Sequence, residues 1–363
     1  MGDAVIDRAL AEPYAAARAA KAAGRKVVGV VTNDAPFELI HAAGLFSLQL
    51  APQPGPTLHA DRYMESLFDP MLRSVFDQAL SGKLDFLDAI VLPRSNDSAQ
   101  RTYYYLCELQ RTGVLTRSLK PLLFDVQKLP SRASAEYTYQ RVLDLKAELE
   151  MLGGQSVNAE GLRSSIELYN QIRAAMRKLG EARAALKVSG VQAMEAMLAA
   201  SLGSPESALE VLSKAAATQS AAQGEPTILI GSAHCDAALH AAIGKAGGQV
   251  VGDFHWRGDL YYGPEIEAGE PLRAIAEHHG RDVYAARTFP APHAELTAFA
   301  KARGARAAIF LFYKEEEALV WDAPSQMQAL RAAGVRVLSL TQQPWPAQVA
   351  QGDLTAFYGA RAS

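Results

Sequence analysis

Arg73, Arg94 and Arg101 fall near the ends of apolar, strand-sized runs. A guanidinium carries a fixed fork of donors that suits phosphate oxygens, and an open α/β sheet takes its ligand at its strand ends. These arginines are therefore candidates for a phosphorylated ligand, with surface ion pairing as the competing reading. Glu38 and His41 flank one face of a short helical stretch and could line the same cleft. A glutamate in a first helical turn is also favourable on electrostatic grounds alone. Tyr103, Tyr104 and Tyr105 read as helix packing, because consecutive helical residues face different ways.

Soft ligands are scarce. Cys107 and Cys235 are the two cysteines, too few to supply the thiolates of an iron–sulfur cluster within one chain. They read as small buried hydrophobes, and a reducing cytosol disfavours pairing them. His234 and His240 are six apart and do not share a helix face, and the adjacent His278 and His279 diverge. The histidines are therefore expected to be ordinary surface or capping residues. No glycine-rich G-x-G-x-x-G or G-x-x-x-x-G-K-[ST] phosphate loop is present, nor G-x-S-x-G or H-E-x-x-H. A dinucleotide-binding enzyme, a P-loop ATPase, an elbow-type hydrolase and a zincin are disfavoured accordingly.

At 363 residues the chain is long for one core, so two domains are the default. With 49% hydrophobic and 21% charged residues and a net charge of −3, it has the composition of a globular protein. No basic stripe calls for nucleic acid. The apolar runs, such as residues 307–313, are far below a membrane span, and a cytoplasmic location is the expectation.

The elements that must position these residues alternate. A helix over residues 3–23 ends at Gly24. Residues 26–31, 88–92 and 121–125 read as short buried strands. Between them lie helices over 36–43, 62–82 (broken by Pro70 or starting there) and 97–109. Residues 135–221 carry helical periodicity almost throughout, with no strand signal. Alternation resumes at residues 227–231, followed by strands at 249–251, 307–312 and 335–340. Strand–helix alternation predicts parallel α/β packing. The expected organisation is an N-terminal α/β domain over 1–134, a helical linker region over 135–222 and a C-terminal α/β domain over 223–363.

Several segments resemble the 2-hydroxyacyl-CoA dehydratase / benzoyl-CoA reductase family in order and spacing. VGVVTNDAPFELIHAAG (residues 28–44) is similar to its opening strand and "P-x-E-x-x-x-A-A-G" helix. LFDPMLRS (67–74), FLDAIVLPRSND (86–97) and FYKEEEALVWDAP (312–324) are similar to its "LCPxxRS", "LDxVVxPxxCD" and "KFC…DxP" frames. Residues 250–277 and 321–340, and GDLTAF at 352–357, resemble its later segments. The resemblance implies two Rossmann-like (flavodoxin-like) domains with parallel sheets, joined by a helical region, and an acyl-CoA thioester as ligand. It also implies a [4Fe-4S] cluster, a homologous partner subunit or a homodimer, and an ATP-dependent activator protein that delivers an electron.

Within those frames Asp69, Asn96 and Glu316 stand where the family has its cluster cysteines, with Glu315 or Glu317 as neighbours able to replace Glu316. Oxygen ligands are hard and iron–sulfur clusters need soft thiolates, so no such cluster is expected. The trio reads either as silent polar residues lining a cleft or as a new site. A new site would hold a divalent metal through oxygens, or do acid–base work on the thioester. Glu38, Arg73, Ser74, Arg94, Asp97 and Arg101 are the candidate substrate-binding residues that go with the resemblance. The leading expectation is a subunit that shapes a thioester site. A stand-alone cluster-free acyl-CoA lyase and a noncatalytic assembly or regulatory protein are the alternatives.

Overall fold

A computed structural model describes residues 3–94, 97–116, 118–281 and 292–360. The chain divides into two compact units. The first comprises Met1–Arg173, Ala199–Ala208 and Tyr262–Ala285; the second comprises Ala174–Leu198, Leu209–Tyr261 and Ala286–Ser363.

In the first unit, strands β1 (Val27–Val30), β2 (Phe46–Gln49), β3 (Ala89–Pro93) and β4 (Lys120–Phe124) form a parallel sheet in the order β2-β1-β3-β4. β-Branched, all-apolar runs suit strands covered on both faces, and every residue of β1, β2 and β3 is buried. Val28 sets the register, opposite Ser47 on one side and Ala89 on the other. Leu48, Leu72, Phe76, Ile90 and Leu106 pack into one apolar cluster that joins the sheet to its helices. The chain passes from β1 outward to β2, then returns across β1 to β3. The carboxyl ends of β1 and β3 are therefore a topological switch point, where an open α/β sheet offers a crevice.

The helix before β3 spans Pro70–Leu80, with Pro70 in its first turn. The long alternative over 62–82 does not form. A fixed proline φ suits a first turn and breaks an interior one, and Ala60–Arg62 make a single 3₁₀ turn instead. The helical stretch resolves into Arg132–Gly153, Ala159–Ala184, Gly190–Leu202 and Pro205–Ala217.

The second unit repeats the layout. Strands β5 (Glu225–Gly231), β6 (Gly248–Phe254), β7 (Ala307–Tyr313) and β8 (Arg336–Gln343) are parallel in the order β6-β5-β7-β8. Their core is built from Ile228, Ile230, Val251, Phe310 and Phe312, with Leu296 and Leu330 from flanking helices. Gly231 closes β5 at φ +109°, where a Cβ would stand 2.4 Å from the Leu311 carbonyl oxygen. Only glycine lets the chain leave the sheet there. Both units are thus Rossmann-like α/β folds. Among the described residues no helix is long and apolar enough to cross a membrane.

Candidate functional site

Helices that connect parallel strands run back along the sheet, so their first turns gather at the carboxyl edge beside the strand ends. Asp69 lies at such a turn. Its Oδ1 accepts from the Met71 and Leu72 amides at 2.8 and 3.0 Å, making it the N-cap of the helix Pro70–Leu80. A carboxylate there satisfies two orphan donors and meets the positive end of the helix dipole. Asp69→Ala is expected to cost about 1 kcal/mol. Chemical denaturation followed by circular dichroism measures it, and an unchanged midpoint would remove the capping role.

The candidate arginines Arg73, Arg94 and Arg101 are each engaged with acids. Arg73 binds Asp61 and the Thr57 hydroxyl, Arg94 pairs with Asp125 at 3.1 Å, and Arg101 pairs with Glu65 and, at 3.6 Å, with Asp97. Ser74 is buried and donates to the Gln53 carbonyl. Glu38 does not sit in an exposed first turn: it is buried in an ion pair with Arg173. The Arg173 side chain also donates to the Tyr262 carbonyl at 2.9 Å. Asn96 lies outside the described residues.

At the carboxyl end of β1, Asp34 is fully buried. Its Oδ1 meets His279 Nδ1 at 2.9 Å, and its Oδ2 meets Lys128 Nζ at 2.9 Å. Burial alone would raise the Asp34 carboxyl, but Lys128 and His279 outweigh it and hold the group below the usual carboxylate range. The His279 ring stands edge-on to Phe124 at the end of β4 and to His278. His279 Nε2 is buried without a hydrogen-bond partner among the described residues, and so are both ring nitrogens of His278. A pocket of about 200 Å³ opens along the helix Pro271–Arg281 that carries both histidines, walled by Glu265, Ile266, Glu270, Arg273, Glu277 and His278.

The second unit places Glu316 three residues past the end of β7. Its Oε1 accepts from the Ala318 and Leu319 amides at 3.1 and 3.0 Å, so it closes a turn as Asp69 caps a helix. At the end of β6 lies a denser cluster. Asp253 is fully buried and binds Arg183 Nη2 at 2.8 Å and His240 Nε2 at 2.9 Å. His255 Nε2 is 3.8 Å from the same carboxylate, and the His234 ring packs edge-on against His255 at 4.9 Å. Burial pushes the Cys235 thiol up to about 12, with the Asp236 carboxylate adding to it, so this cysteine stays a thiol. Cys107 is half-buried on the helix Asp97–Arg111.

The histidines depart from expectation. His234, His240, His255, His278 and His279 are all buried. Sequence separation along one helix was the wrong test for them, since four of the five contact residues brought in by a different strand or loop. Asp34, Asp253 and Arg183 were passed over as well. Asp34 alone carries a legible signal, as an acid in the loop directly after the first strand. Among the described residues no group of three or more His, Cys, Asp or Glu is arranged to hold a metal ion.

Two parallel α/β units with polar loops at their carboxyl edges define an α/β protein of the doubly wound class. A family model for the 2-hydroxyglutaryl-CoA dehydratase D-component matches residues 32–351, and the chain belongs to that family. It is 26% identical over 161 residues to the beta subunit of (R)-2-hydroxyglutaryl-CoA dehydratase from Acidaminococcus fermentans. It is 30% identical over 165 residues to a subunit of benzoyl-CoA reductase from Thauera aromatica. Each alignment covers 44% of this chain and 41% of the relative. The beta subunit of (R)-phenyllactyl-CoA dehydratase from Clostridium sporogenes is 23% identical over 154 residues, 42% of this chain and 40% of that protein.

Proposed function

We propose that this chain is a subunit of a 2-hydroxyacyl-CoA dehydratase / benzoyl-CoA reductase-like system. It binds a CoA thioester, or shapes its site, beside a cysteine-bearing homologous subunit, and it carries no [4Fe-4S] cluster of its own. An ATP-dependent activator serves the cluster-bearing partner, and the assembly is cytoplasmic. Arg73, Arg94 and Arg101 are partly exposed and could exchange their carboxylate partners for CoA phosphates. Residues 135–222 act as the helical connection between two α/β domains.

The observation that carries this reading is the use made of Asp69 and Glu316. Each stands in a frame that resembles a ligand loop, and each spends one carboxylate oxygen on two backbone amides of its own loop. Such oxygens are hard donors already employed, and Cys235 is held protonated. The donor set does not fit a thiolate-bound cluster. No step of chemistry is routed through one in this chain.

Iron and acid-labile sulfide, measured on protein purified without oxygen, test the proposal. Neither is expected above trace, and a cysteine-rich homologue is expected to co-purify from the native source. Cluster-like amounts of both elements in the isolated chain would overturn it. Stoichiometric magnesium or manganese with no partner would favour the stand-alone lyase instead.

A further inference from the structure

The Asp34–His279 contact has the form of a base awaiting a substrate. Asp34 Oδ1 accepts the Nδ1–H of His279 at 2.9 Å, which fixes the tautomer and leaves a lone pair on Nε2. Lys128 Nζ sits 2.9 Å from the other carboxylate oxygen and donates to the His279 carbonyl at 3.1 Å, so both partners of the pair are held by a third group. Phe124 covers one side of the ring. Asp34 lies just past β1 and Phe124 ends β4, which puts the pair at the carboxyl edge of the first sheet. An acceptor such as Nε2, shut away from solvent with no partner among the described residues, costs about 1–3 kcal/mol unless a further group meets it.

The buried His240–Asp253 contact of the second unit is built differently. Asp253 binds His240 through Nε2, which leaves the buried Nδ1 as the nitrogen without a hydrogen-bond partner among the described residues. In the first unit the buried outer nitrogen, Nε2, is the one without a hydrogen-bond partner among the described residues.

We propose that His279 is a catalytic base whose Nε2 removes a proton from the carbon next to the thioester carbonyl of a bound acyl-CoA, with Asp34 and Lys128 as positioning residues. This rests on the thioester reading given above. In the step, the C–H bond breaks and an N–H bond forms. The electron pair of the C–H bond passes into the thioester enolate, and Asp34 supports the imidazolium. Return of the proton regenerates the thioester, so no oxidant or reductant is needed. In deuterated water the returned particle is a deuteron.

The test has three readouts on the full chain. Long-range ¹H–¹⁵N correlation spectra at neutral pH report the tautomer: Nδ1–H is expected, and Nε2–H would overturn the pair without any ligand present. Calorimetry with butyryl-CoA reports binding. Mass spectrometry of butyryl-CoA in deuterated water reports exchange at the α-carbon. Wild type should incorporate deuterium, and His279→Asn should slow this by about 100-fold or more while binding is kept. The asparagine amide preserves the donor to Asp34, so folding is expected to survive. If it does not, Asp34→Asn carries the test with a similar expected loss. Binding without exchange, or exchange indifferent to both substitutions, sinks the proposal. No binding of butyryl-CoA instead sinks the thioester reading and this substrate with it, while the tautomer still judges the pair.

Discussion

Arg183→Met is expected to destabilise the second unit by about 3–5 kcal/mol, the range found when one partner of a buried ion pair is removed. The arginine is fully buried. Its Nη2 meets Asp253 Oδ2 at 2.8 Å and its Nη1 meets Asp259 Oδ2 at 3.2 Å. Asp259 in turn accepts the Asp253 amide and binds Arg303 at 2.9 Å. Removing the guanidinium leaves Asp253 ionised in a dry interior, beside a His255 imidazole that burial keeps neutral. Methionine fills much of the volume, so the loss is electrostatic rather than a cavity term. Lysine would not rescue it, because one ammonium cannot reproduce a fork aimed at two carboxylates.

The readout can be confined to the right unit. Trp256, Trp321 and Trp345 are the three tryptophans, and all belong to the second unit. Urea unfolding followed by tryptophan fluorescence therefore reports that unit even where the whole chain is not two-state. A change below about 1 kcal/mol, the scale of an exposed pair, would show that the buried network does not hold the unit together.

The sheets were legible because their signal is local. Residues 26–31, 88–92 and 307–313 are β-branched or apolar runs bounded by turn residues, and each became a buried strand. Pro70 marked a helix start for a reason internal to proline. The chemistry of the site was less legible because it is assembled from distant positions. Glu38 lies in a first helical turn, yet nothing near it in sequence announces Arg173, 135 residues away. His279 gives no hint of Asp34, 245 residues earlier. Periodicity says which face of an element is apolar, and it is silent on which polar group from another element will be buried against it. Asp69 and Glu316 were picked out by the frames around them. Their use as caps appears only once the amides they bind are placed.

Acid should weaken the second unit as pH falls from about 6.5 toward about 4. Burial drives His255 down to about 4, with the Asp253 carboxylate only partly offsetting it and His240 adding to the fall. Burial likewise holds His234 well below the usual imidazole range, with His255 and His240 contributing. Both groups are neutral when folded and bind protons near 6.5 once unfolded. The unfolded chain therefore takes up more protons through this interval, so stability is fully present above about 6.5 and is lost as pH falls toward about 4. For His255 alone the lowering amounts to about 3 kcal/mol across that window. Asp253 also favours the folded state, but its carboxyl is held well below 3.8, so its contribution disappears only in stronger acid. Tryptophan-detected unfolding at steps between pH 7.5 and 4.5 should show a steady decline. His255→Gln should remove up to one proton from the slope, about 1.4 kcal/mol per pH unit where the unfolded imidazole is charged. A flat profile from pH 7 to 5 would mean that these imidazoles are not buried as neutral groups. His234 and His255 would then have to be open to water, where an imidazolium carries no such cost.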